Sequence, residues 1–307
     1  MVKVILINFP TPSNEEEAKT ILRNMMFSKY ILPQTKFIRY ILSRIISLCS
    51  YKKSWEKYQQ IPKSEIKELS LAIKKTLEKK GINTLNYYLF SGQSLKEIVE
   101  EEIRNGNDEL LLVPLFPHKN YCTNGEVIEL QEVYKDKIDV LDNWCETDGF
   151  VNYWTHLIKQ NIAKESEVEK PFIIFSAHSI PQFFEEKMTP KYSELLINSA
   201  TKIADKLGCD FDIAFQSANG KGKWLEPNLE TLITKYYNEM KHILIVPYSF
   251  FCENLETYYD LDLKLKTELN STHPTINIER TKFDNSITTN FIVNAISSRI
   301  MNMNNSH

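Results

Sequence analysis

The chain has 307 residues, of which 42% are hydrophobic and 25% charged, and its net charge is −3. This length allows two domains of about 150 residues each, and the composition is that of an ordinary globular protein. The slightly acidic balance provides no basic surface for phosphates, so a nucleic-acid partner is not expected. Five scattered cysteines without a C-x-x-C pair argue against a disulfide framework or a metal cluster, and they favour a reducing, cytoplasmic location.

Short apolar runs recur along the chain and predict strands. The first run, residues 4–7, is too short to be a secretion signal or a membrane span. The other runs lie at 85–89, 110–113, 172–175, 211–215, 243–246 and 276–278. Segments with apolar residues at three- and four-residue spacing separate them and predict helices at 14–26, 64–79, 94–104, 149–163, 192–207, 227–239, 253–264 and 287–301.

Alternating strands and helices are typical of parallel sheets covered on both faces, so the predicted fold class is α/β. Residues 111–116 and 244–249 are similar, since each is a strand that stops at a proline, and this echo favours two similar halves. The charged stretch 164–170 contains no glycine and is the predicted linker. Neither glycine-rich phosphate-binding turn is present, so nucleotide binding is not favoured.

Residues 34–49 form a predicted amphipathic helix with a basic edge. An apolar stripe runs from Phe37 to Ile46, and Lys36 and Arg44 are among the basic residues beside it. The pattern fits a helix on a membrane surface, the lip of an apolar pocket, or a core helix whose basic side chains extend to solvent. All three alternatives stay open at this point.

One histidine stands where a buried strand gives way to a loop. The apolar run 171–175 leads through Ser176 to His178. Ligands of α/β sheets gather beyond the carboxyl ends of the strands, so His178 is a candidate for site chemistry. The alternative is a histidine that only hydrogen-bonds its own turn, through Ser176 and Ser179.

Two later stretches add an acidic row and a tryptophan. A helix over 253–264 would place Glu253, Glu256 and Asp260 on one face, which is either a solvated acidic face or a path for a cation. The predicted core face of that helix consists of Leu255, Tyr259 and Leu263. The loop after the predicted strand at 211–215 carries Trp224, which is either a packing anchor or a flat wall for a flat ligand.

These three stretches resemble signature motifs of the ferrochelatase family. The family's S-A-H-S-[LI]-P is present at 176–181, and its Q-S-x-x-G-x-x-x-W-L-x-P is present at 216–227. Its [FS]-x-x-x-x-[IL]-E-T-x-[YF]-[ED]-L-D is present almost intact at 250–262. Weaker matches at 6–12 and 113–117 extend the resemblance into the first half, although it is strong only in the second.

The resemblance implies two similar Rossmann-like domains, each a parallel sheet flanked by helices, with a porphyrin in the cleft between them. Fe(II) would be inserted into protoporphyrin IX or coproporphyrin III in the last steps of haem synthesis. The domains would span 1–148, with a porphyrin-lip helix, and 149–285, with the catalytic residues. Residues 286–307 would form a C-terminal helix that packs back across both domains. A monomer or a homodimer is expected.

The resemblance also implies roles for individual residues. His178 would ligate the iron or accept a pyrrole proton, and Glu256 on the opposite wall would complete a nitrogen and oxygen site for Fe(II). Asp260 would be the next acidic residue outward from Glu256, and it would pass metal inward or protons outward. The other expected substrate contacts are Phe9, Pro10, Thr11, Tyr30, Lys57, Tyr58, Ser64, Ser176, Gln216, Ser217, Trp224, Phe251 and Asn254.

Several positions of the second half depart from the family pattern. Asn254 stands where many members have a second histidine, so His178 would be the only histidine of the matched set. Lys264 stands where many members have a third acid, and it could pair with Asp260 at i,i+4 spacing. That pairing would neutralise the outer end of the acidic row and leave Glu253 as an alternative route for the ion.

The first half departs further, because the family's R-Y-G is replaced at 89–91 and Pro10 stands in place of a glycine. These departures keep two alternatives open. One is a chelatase for another metal or tetrapyrrole, and the other is a haem- or porphyrin-binding homologue without turnover. No permanently bound cofactor and no iron–sulfur cluster are expected, because the cysteine-bearing tail of some members has no counterpart in the sequence. The expected location is cytoplasmic, with peripheral membrane contact through 34–49 as an open alternative.

Overall fold

The computed structural model describes residues 2–62, 64–162, 171–218, 222–237, 239–240, 242–265, 267–269 and 277–305. The chain divides into two compact units. The first comprises Met1–Leu115, Tyr121–Asp142 and Ile292–His307, and the second comprises Phe116–Asn120 and Asn143–Phe291. Each unit contains a four-stranded parallel sheet, which confirms the predicted α/β class with two similar sheets. The predicted linker at 164–170 lies outside the described residues, and the predicted domain limits stay a prediction.

The strands of the first unit are β1 (Lys3–Asn8), β2 (Thr84–Tyr88), β3 (Leu110–Pro114) and β4 (Ile138–Val140). They are parallel and lie in the order β2-β1-β3-β4. Val4 of β1 is opposite both Thr84 and Leu111, so β1 is an inner strand. Strand β3 is buried along its whole length, as expected for a parallel sheet with covered faces.

The helices of the first unit are α1 (Glu15–Phe27), α2 (Lys36–Gln59), α3 (Ile66–Lys79), α4 (Leu95–Arg104) and α5 (Tyr121–Val133). Asn14 caps α1, and Ser94 and Glu97 form a capping box at the start of α4. Helix α5 and strand β4 were not predicted from the sequence. Helix α5 buries Asn124 and Gly125 within its inner face, so its apolar periodicity is weak, and β4 has only three residues.

The second unit repeats the same strand order with β5 (Phe172–His178), β6 (Phe211–Gln216), β7 (His242–Val246) and β8 (Asn277–Arg280), arranged β6-β5-β7-β8. Its helices are α6 (Asp148–Ile162), α7 (Gln182–Glu185), α8 (Tyr192–Leu207), α9 (Leu229–Tyr236) and a π-helix (Glu256–Leu265). Helix α10 (Asn285–Asn305) begins in the second unit, and its residues from Ile292 onward belong to the first. The predicted strand at 276–278 corresponds to β8, with Ile276 outside the described residues.

The segment after β7 forms the π-helix and not the predicted α-helix. Its i→i+5 hydrogen bonds widen each turn, so the buried positions are spaced by four. Thr257, Leu261 and Leu265 face the core, where both leucines join the apolar cluster of the second sheet. The predicted core face that begins at Leu255 is therefore wrong, and Leu263 of that face is 42% exposed.

Helix α2 turns its polar side inward. Ser43 and Ser47 are buried, and the helix packs against α1. By contrast, Phe37 is 73% exposed and Leu48 61% exposed, with Ile45 between them also exposed. Of the three alternatives left open by the sequence, the buried serines and the exposed apolar side chains do not favour a core helix with an inward apolar stripe. Within the described part of the chain, no helix is long and apolar enough to cross a membrane.

Candidate active site

Neighbouring strand ends of the second sheet bring the candidate residues together. His178 is the last residue of β5 and Gln216 is the last residue of β6, and the two are direct partners in the parallel register. Strand β7, on the other side of β5, ends at Val246 and leads into the π-helix, which begins at Glu256. The topology therefore brings His178, Gln216 and Glu256 to one edge of the sheet, although His178 and Glu256 are 78 positions apart in the chain.

The central contact joins the imidazole and the carboxylate. Nδ1 of His178 lies 2.7 Å from Oε2 of Glu256. The His178 side chain is 40% exposed and the Glu256 side chain 26% exposed, so both remain accessible from solvent. This pairing excludes the alternative in which His178 only hydrogen-bonds its own turn.

A chain of amide and hydroxyl groups orients the carboxylate. The Ser176 hydroxyl donates to Oε1 of Gln216 at 2.6 Å, which leaves the amide nitrogen of Gln216 directed the other way. That nitrogen lies 3.4 Å from Oε2 of Glu256. Ser176 and Gln216 are both buried, so they form a fixed support behind the His178 and Glu256 pair.

Asp260 is held by the residue that follows β6. The hydroxyl of Ser217 donates to Oδ2 of Asp260 at 2.6 Å. Ser217 has a φ of 60°, a left-handed conformation that costs a residue with a side chain about 1–2 kcal/mol. Such local strain is often found at functional sites, and here it aims the hydroxyl at the acidic row.

The imidazole and the carboxylate shift each other's protonation. Desolvation by itself lowers the pKa of His178, but the charge and hydrogen bond of Glu256, aided by Asp260, outweigh it and raise that pKa above its ordinary value. Desolvation by itself raises the pKa of Glu256, but the charge of His178 and hydrogen bonds from His178, Gln216 and Ser217 outweigh it and lower that pKa. The pair therefore favours imidazolium beside carboxylate in the absence of substrate.

Asn254 caps the segment that carries the carboxylate. Its Oδ1 accepts from the backbone N–H of Glu256 at 2.8 Å and from that of Thr257 at 3.3 Å. Its amide nitrogen donates to the carbonyl of Cys252 at 3.2 Å. The Asn254 amide is thus committed to backbone groups, and a direct contact with substrate stays a prediction.

Two expectations about the acidic row are corrected. Glu253 is 4% exposed and bound by Arg280, so it is not available to pass an ion inward. Lys264 directs its Nζ to Glu230 at 3.0 Å, and Glu268 lies 3.8 Å away. Glu230 of α9 is therefore the hydrogen-bond partner of Lys264, and the charge of Asp260 adds a smaller contribution to the raised pKa of Lys264.

The loops after β5 and β6 are tied together near Trp224. Trp224 forms an isolated antiparallel bridge with Pro181, and its carbonyl accepts from the amide of Gln182 at 3.2 Å. Residues 219–221 of the matched motif lie outside the described residues. Phe251, predicted as a second flat wall, is 3% exposed and packs against Trp144 with ring centroids 5.4 Å apart. Its packing favours a core role, and a direct porphyrin contact stays a prediction.

The predicted substrate residues of the first half lie in three places within the first unit. Phe9, Pro10 and Thr11 follow β1, and the hydroxyl of Thr11 donates to that of buried Ser64 at 3.2 Å. Tyr30 donates to Glu129 at 2.8 Å. The remaining two, Lys57 and Tyr58, lie in the last turn of α2.

Sequence reasoning missed Arg280, the last residue of β8. Its guanidinium is buried and bonded to Glu253 and Asp262, which flank Glu256 and Asp260 in the sequence. The only signal in the sequence was an arginine at the end of an apolar run. Among the described residues, no three histidine, cysteine, aspartate or glutamate side chains form a group that could hold a resident metal ion.

The fold is shared with tetrapyrrole chelatases. SirB from Bacillus subtilis, solved with Fe3+, aligns with a TM-score of 0.52 and 11% identity over 96% of this chain and 94% of that chain. CbiX, the terminal enzyme for biosynthesis of sirohaem in denitrifying bacteria, aligns with a TM-score of 0.50 and 11% identity over 96% and 98%. At this identity the likeness establishes the fold alone, an α/β fold with two parallel sheets.

Residues 2–294 match the sequence profile of the ferrochelatase family, and the chain belongs to that family. The ferrochelatase of Rickettsia felis is 28% identical over 97% of this chain and 95% of that protein. The ferrochelatase of Trichodesmium erythraeum is 27% identical over 86% of this chain and 73% of that protein. Membership assigns the chain to the enzymes that insert ferrous iron into a porphyrin in haem biosynthesis.

Proposed function

We propose that His178 and Glu256 carry the insertion chemistry and that the strand ends of the second sheet deliver them to the porphyrin. Insertion replaces two pyrrole protons by one Fe(II), so the protein must accept protons and receive a hydrated cation. The observation that supports this role is the 2.7 Å contact between Nδ1 of His178 and Oε2 of Glu256. Because Nδ1 is committed to Glu256, the chemistry toward the substrate falls to Nε2.

The pair is suited to accept a proton. The Glu256 carboxylate raises the pKa of His178 against desolvation. The resting imidazolium must first pass its proton on, and the neutral imidazole then holds a pyrrole proton more strongly than free imidazole would. A protonated imidazole cannot ligate a metal, since metal ligands must be deprotonated. Iron binding by the same pair therefore requires that the proton leave first, and Asp260, held by Ser217, is the next acid along the π-helix.

The test is anaerobic incubation of the purified protein with Fe(II) and either protoporphyrin IX or coproporphyrin III, followed by absorbance in the Soret region. The wild type should metallate one of the two, and His178→Ala should lower the rate by at least about 100-fold while it retains porphyrin binding. His156→Ala is the matched control, because His156 lies on the exposed side of α6 and should leave the rate unchanged. Tight porphyrin binding without metallation by the wild type would overturn the proposal in favour of a binding protein. Metallation with cobalt or zinc and not iron would assign another metal.

We also propose that helix α2 binds an anionic membrane surface. Six basic residues and one acidic residue lie in Lys36–Gln59, whereas the whole chain carries a net charge of −3. The exposed apolar side chains of Phe37, Ile45 and Leu48 lie on the same helix. A basic helix with an outward apolar face is the pattern of interfacial helices, and positive charge is attracted to anionic headgroups.

Flotation with phosphatidylglycerol-containing vesicles tests this surface. The wild type should float, and Phe37→Asp with Leu48→Asp should stay in the dense fraction. Ile197→Asp is the control, since Ile197 is 53% exposed on α8 without basic clustering. A wild type that does not float would contradict the proposal. It would also be contradicted if the double variant floated like the wild type and differed from it only by the loss of a dimer.

A further inference from the structure

A buried ion network holds the segment that carries Glu256 and Asp260. Its centre is Arg280, whose side chain is 2% exposed. Arg280 donates from Nη1 to Oε1 of Glu253 at 3.0 Å and from Nη2 to Oδ2 of Asp262 at 2.7 Å. The guanidinium thus contacts one carboxylate before Glu256 and one after Asp260.

Each carboxylate receives two contacts from the same fork. Nη2 of Arg280 also lies 2.9 Å from Oε2 of Glu253, and Nε donates to Oδ1 of Asp262 at 3.0 Å. A guanidinium has five donors in a fixed plane, so it can bind two carboxylates at once in one geometry. A lysine amine at the same position is a point charge and cannot reproduce both bidentate contacts.

The network is balanced in charge and tied to its surroundings. The Lys282 amine donates to Oδ2 of Asp262 at 2.7 Å, which gives two cations for two carboxylates. The Thr257 hydroxyl donates to Oε2 of Glu253 at 2.8 Å. Removal of one partner from such a buried pair lowers the stability of the folded chain, because the remaining charge stays buried without compensation.

The network connects the π-helix to the two strands beside it, β7 and β8. Arg280 ends β8, and its direct partner in the parallel register is Ile245 of β7. Strand β7 leads into the π-helix, whose i→i+5 hydrogen bonds are rare and mark functional sites. One residue of the neighbouring strand therefore fixes both ends of the ten-residue span from Glu253 to Asp262.

We propose that Arg280 is a positioning residue for iron insertion, which holds the carboxylates of Glu256 and Asp260 in register with His178 by clamping Glu253 and Asp262. This role rests on the proposed function of the His178 and Glu256 pair. Arg280 itself touches neither substrate nor the reacting atoms. It sets where the π-helix places its acids.

Steady-state insertion kinetics on the full chain test the clamp. Arg280→Lys should lower kcat by about 10- to 100-fold, as expected for a misplaced catalytic group. The porphyrin dissociation constant, measured by fluorescence quenching, should be unchanged, because the substitution leaves the porphyrin contacts in place. A loss of fold would instead lower kcat and raise the porphyrin dissociation constant together.

Glu253→Gln is the second variant in case Arg280→Lys does not fold. It keeps the shape of the side chain and the pairing of Arg280 with Asp262, and it should lower kcat in the same direction with a smaller effect. Asp139→Asn is the matched control, since Asp139 makes a comparable two-point pair with Arg299 in the first unit at 2.6 Å, far along the chain from the π-helix. Its kcat should equal that of the wild type.

The outcomes separate the two proposals. An active wild type together with a folded Arg280→Lys or Glu253→Gln of unchanged kcat would overturn the positioning role alone. An equal loss of kcat in Asp139→Asn would also overturn it, because the effect would then be general. A wild type that inserts no metal would overturn the proposed function and the positioning role with it.

Discussion

In the first unit the strand β1 ends at Asn8, and in the second unit the corresponding strand β5 ends at His178. The two sheets have the same order of strands, so these residues occupy equivalent places. The side chain of Asn8 turns inward to Ser70 at 3.3 Å, whereas that of His178 is 40% exposed and paired with Glu256. The same architecture thus buries an amide side chain in one unit and leaves an imidazole accessible beside a carboxylate in the other.

The neighbouring strands, β2 in the first unit and β6 in the second, differ in a similar way. Phe90 follows β2 with a φ of 62°, and Ser217 follows β6 with a φ of 60°. Phe90 lies against Phe9 with ring centroids 6.2 Å apart, whereas Ser217 directs its hydroxyl to Asp260. A left-handed residue therefore follows within two positions of each of these strand ends, and its side chain packs on a ring in the first unit and donates to a carboxylate in the second.

The largest expected effect comes from removing the carboxylate that distinguishes the second unit. Glu256→Gln keeps the shape of the side chain but cannot stabilise an imidazolium at His178, so the rate of iron insertion should fall by about 100- to 10,000-fold. The measurement is the anaerobic Soret assay. Glu16→Gln, on the exposed surface of α1, should have the wild-type rate. Equal rates for the two variants would mean that the asymmetry between the units has no catalytic meaning.

A smaller effect concerns the stability of the second unit in acid. His118 is 2% exposed and lies 2.9 Å from the hydroxyl of Ser199, and burial lowers its pKa to about 3. The unfolded chain therefore binds a proton between about pH 6.5 and 3 that the folded chain does not. The stability associated with neutral His118 is complete above about pH 6.5 and falls as the pH drops, by about 2 kcal/mol at pH 5.

Urea unfolding followed by tryptophan fluorescence checks this, since three of the four tryptophans lie in 143–291. The loss of stability from pH 7 to 5 should be smaller in His118→Gln than in the wild type, because glutamine does not titrate. The exposed His156→Gln should behave like the wild type. An identical acid response of His118→Gln and the wild type would exclude His118 as its source.

The smallest effect tests the left-handed residue that follows β2 in the first unit and β6 in the second. Glycine adopts positive φ without a steric cost, so Phe90→Gly should be more stable than Phe90→Ala by about 1 kcal/mol. Ser217→Gly should exceed Ser217→Ala by a similar amount, about 1 kcal/mol. Thermal unfolding of the four variants provides the comparison. If alanine matched glycine at either position, the strain inferred there would be absent.

Much of the fold could be predicted because its signals are local. The apolar runs of β1, β3, β5 and β7 and the capping residues Asn14 and Ser94 mark elements within a few positions of themselves. Helix α5 was missed because it buries Asn124 and Gly125, which do not register as an apolar stripe. The direction of α2 stayed open because an apolar stripe beside basic residues does not indicate which side faces inward, and the structure buries Ser43 and Ser47.

The candidate site was predictable as a set of residues and not as a geometry. The motifs around His178, Trp224 and Glu256 identified the family from the order of residues alone, and the resemblance implied iron insertion. No spacing along the chain could indicate that the segment after β7 is a π-helix, because that choice depends on Leu261 and Leu265 packing into the core of the second sheet.

The α/β class, the two similar halves, the family and the candidate imidazole and carboxylate could all be inferred from the amino-acid sequence. Each of these depends on local pattern or on residue type at a short spacing. Only the folded chain shows that Glu253 is paired with Arg280 while Glu256 contacts His178. Those pairings join residues far apart in the chain, and the burial that favours one acid as a structural partner and leaves another accessible exists only once the strands of the second sheet lie side by side.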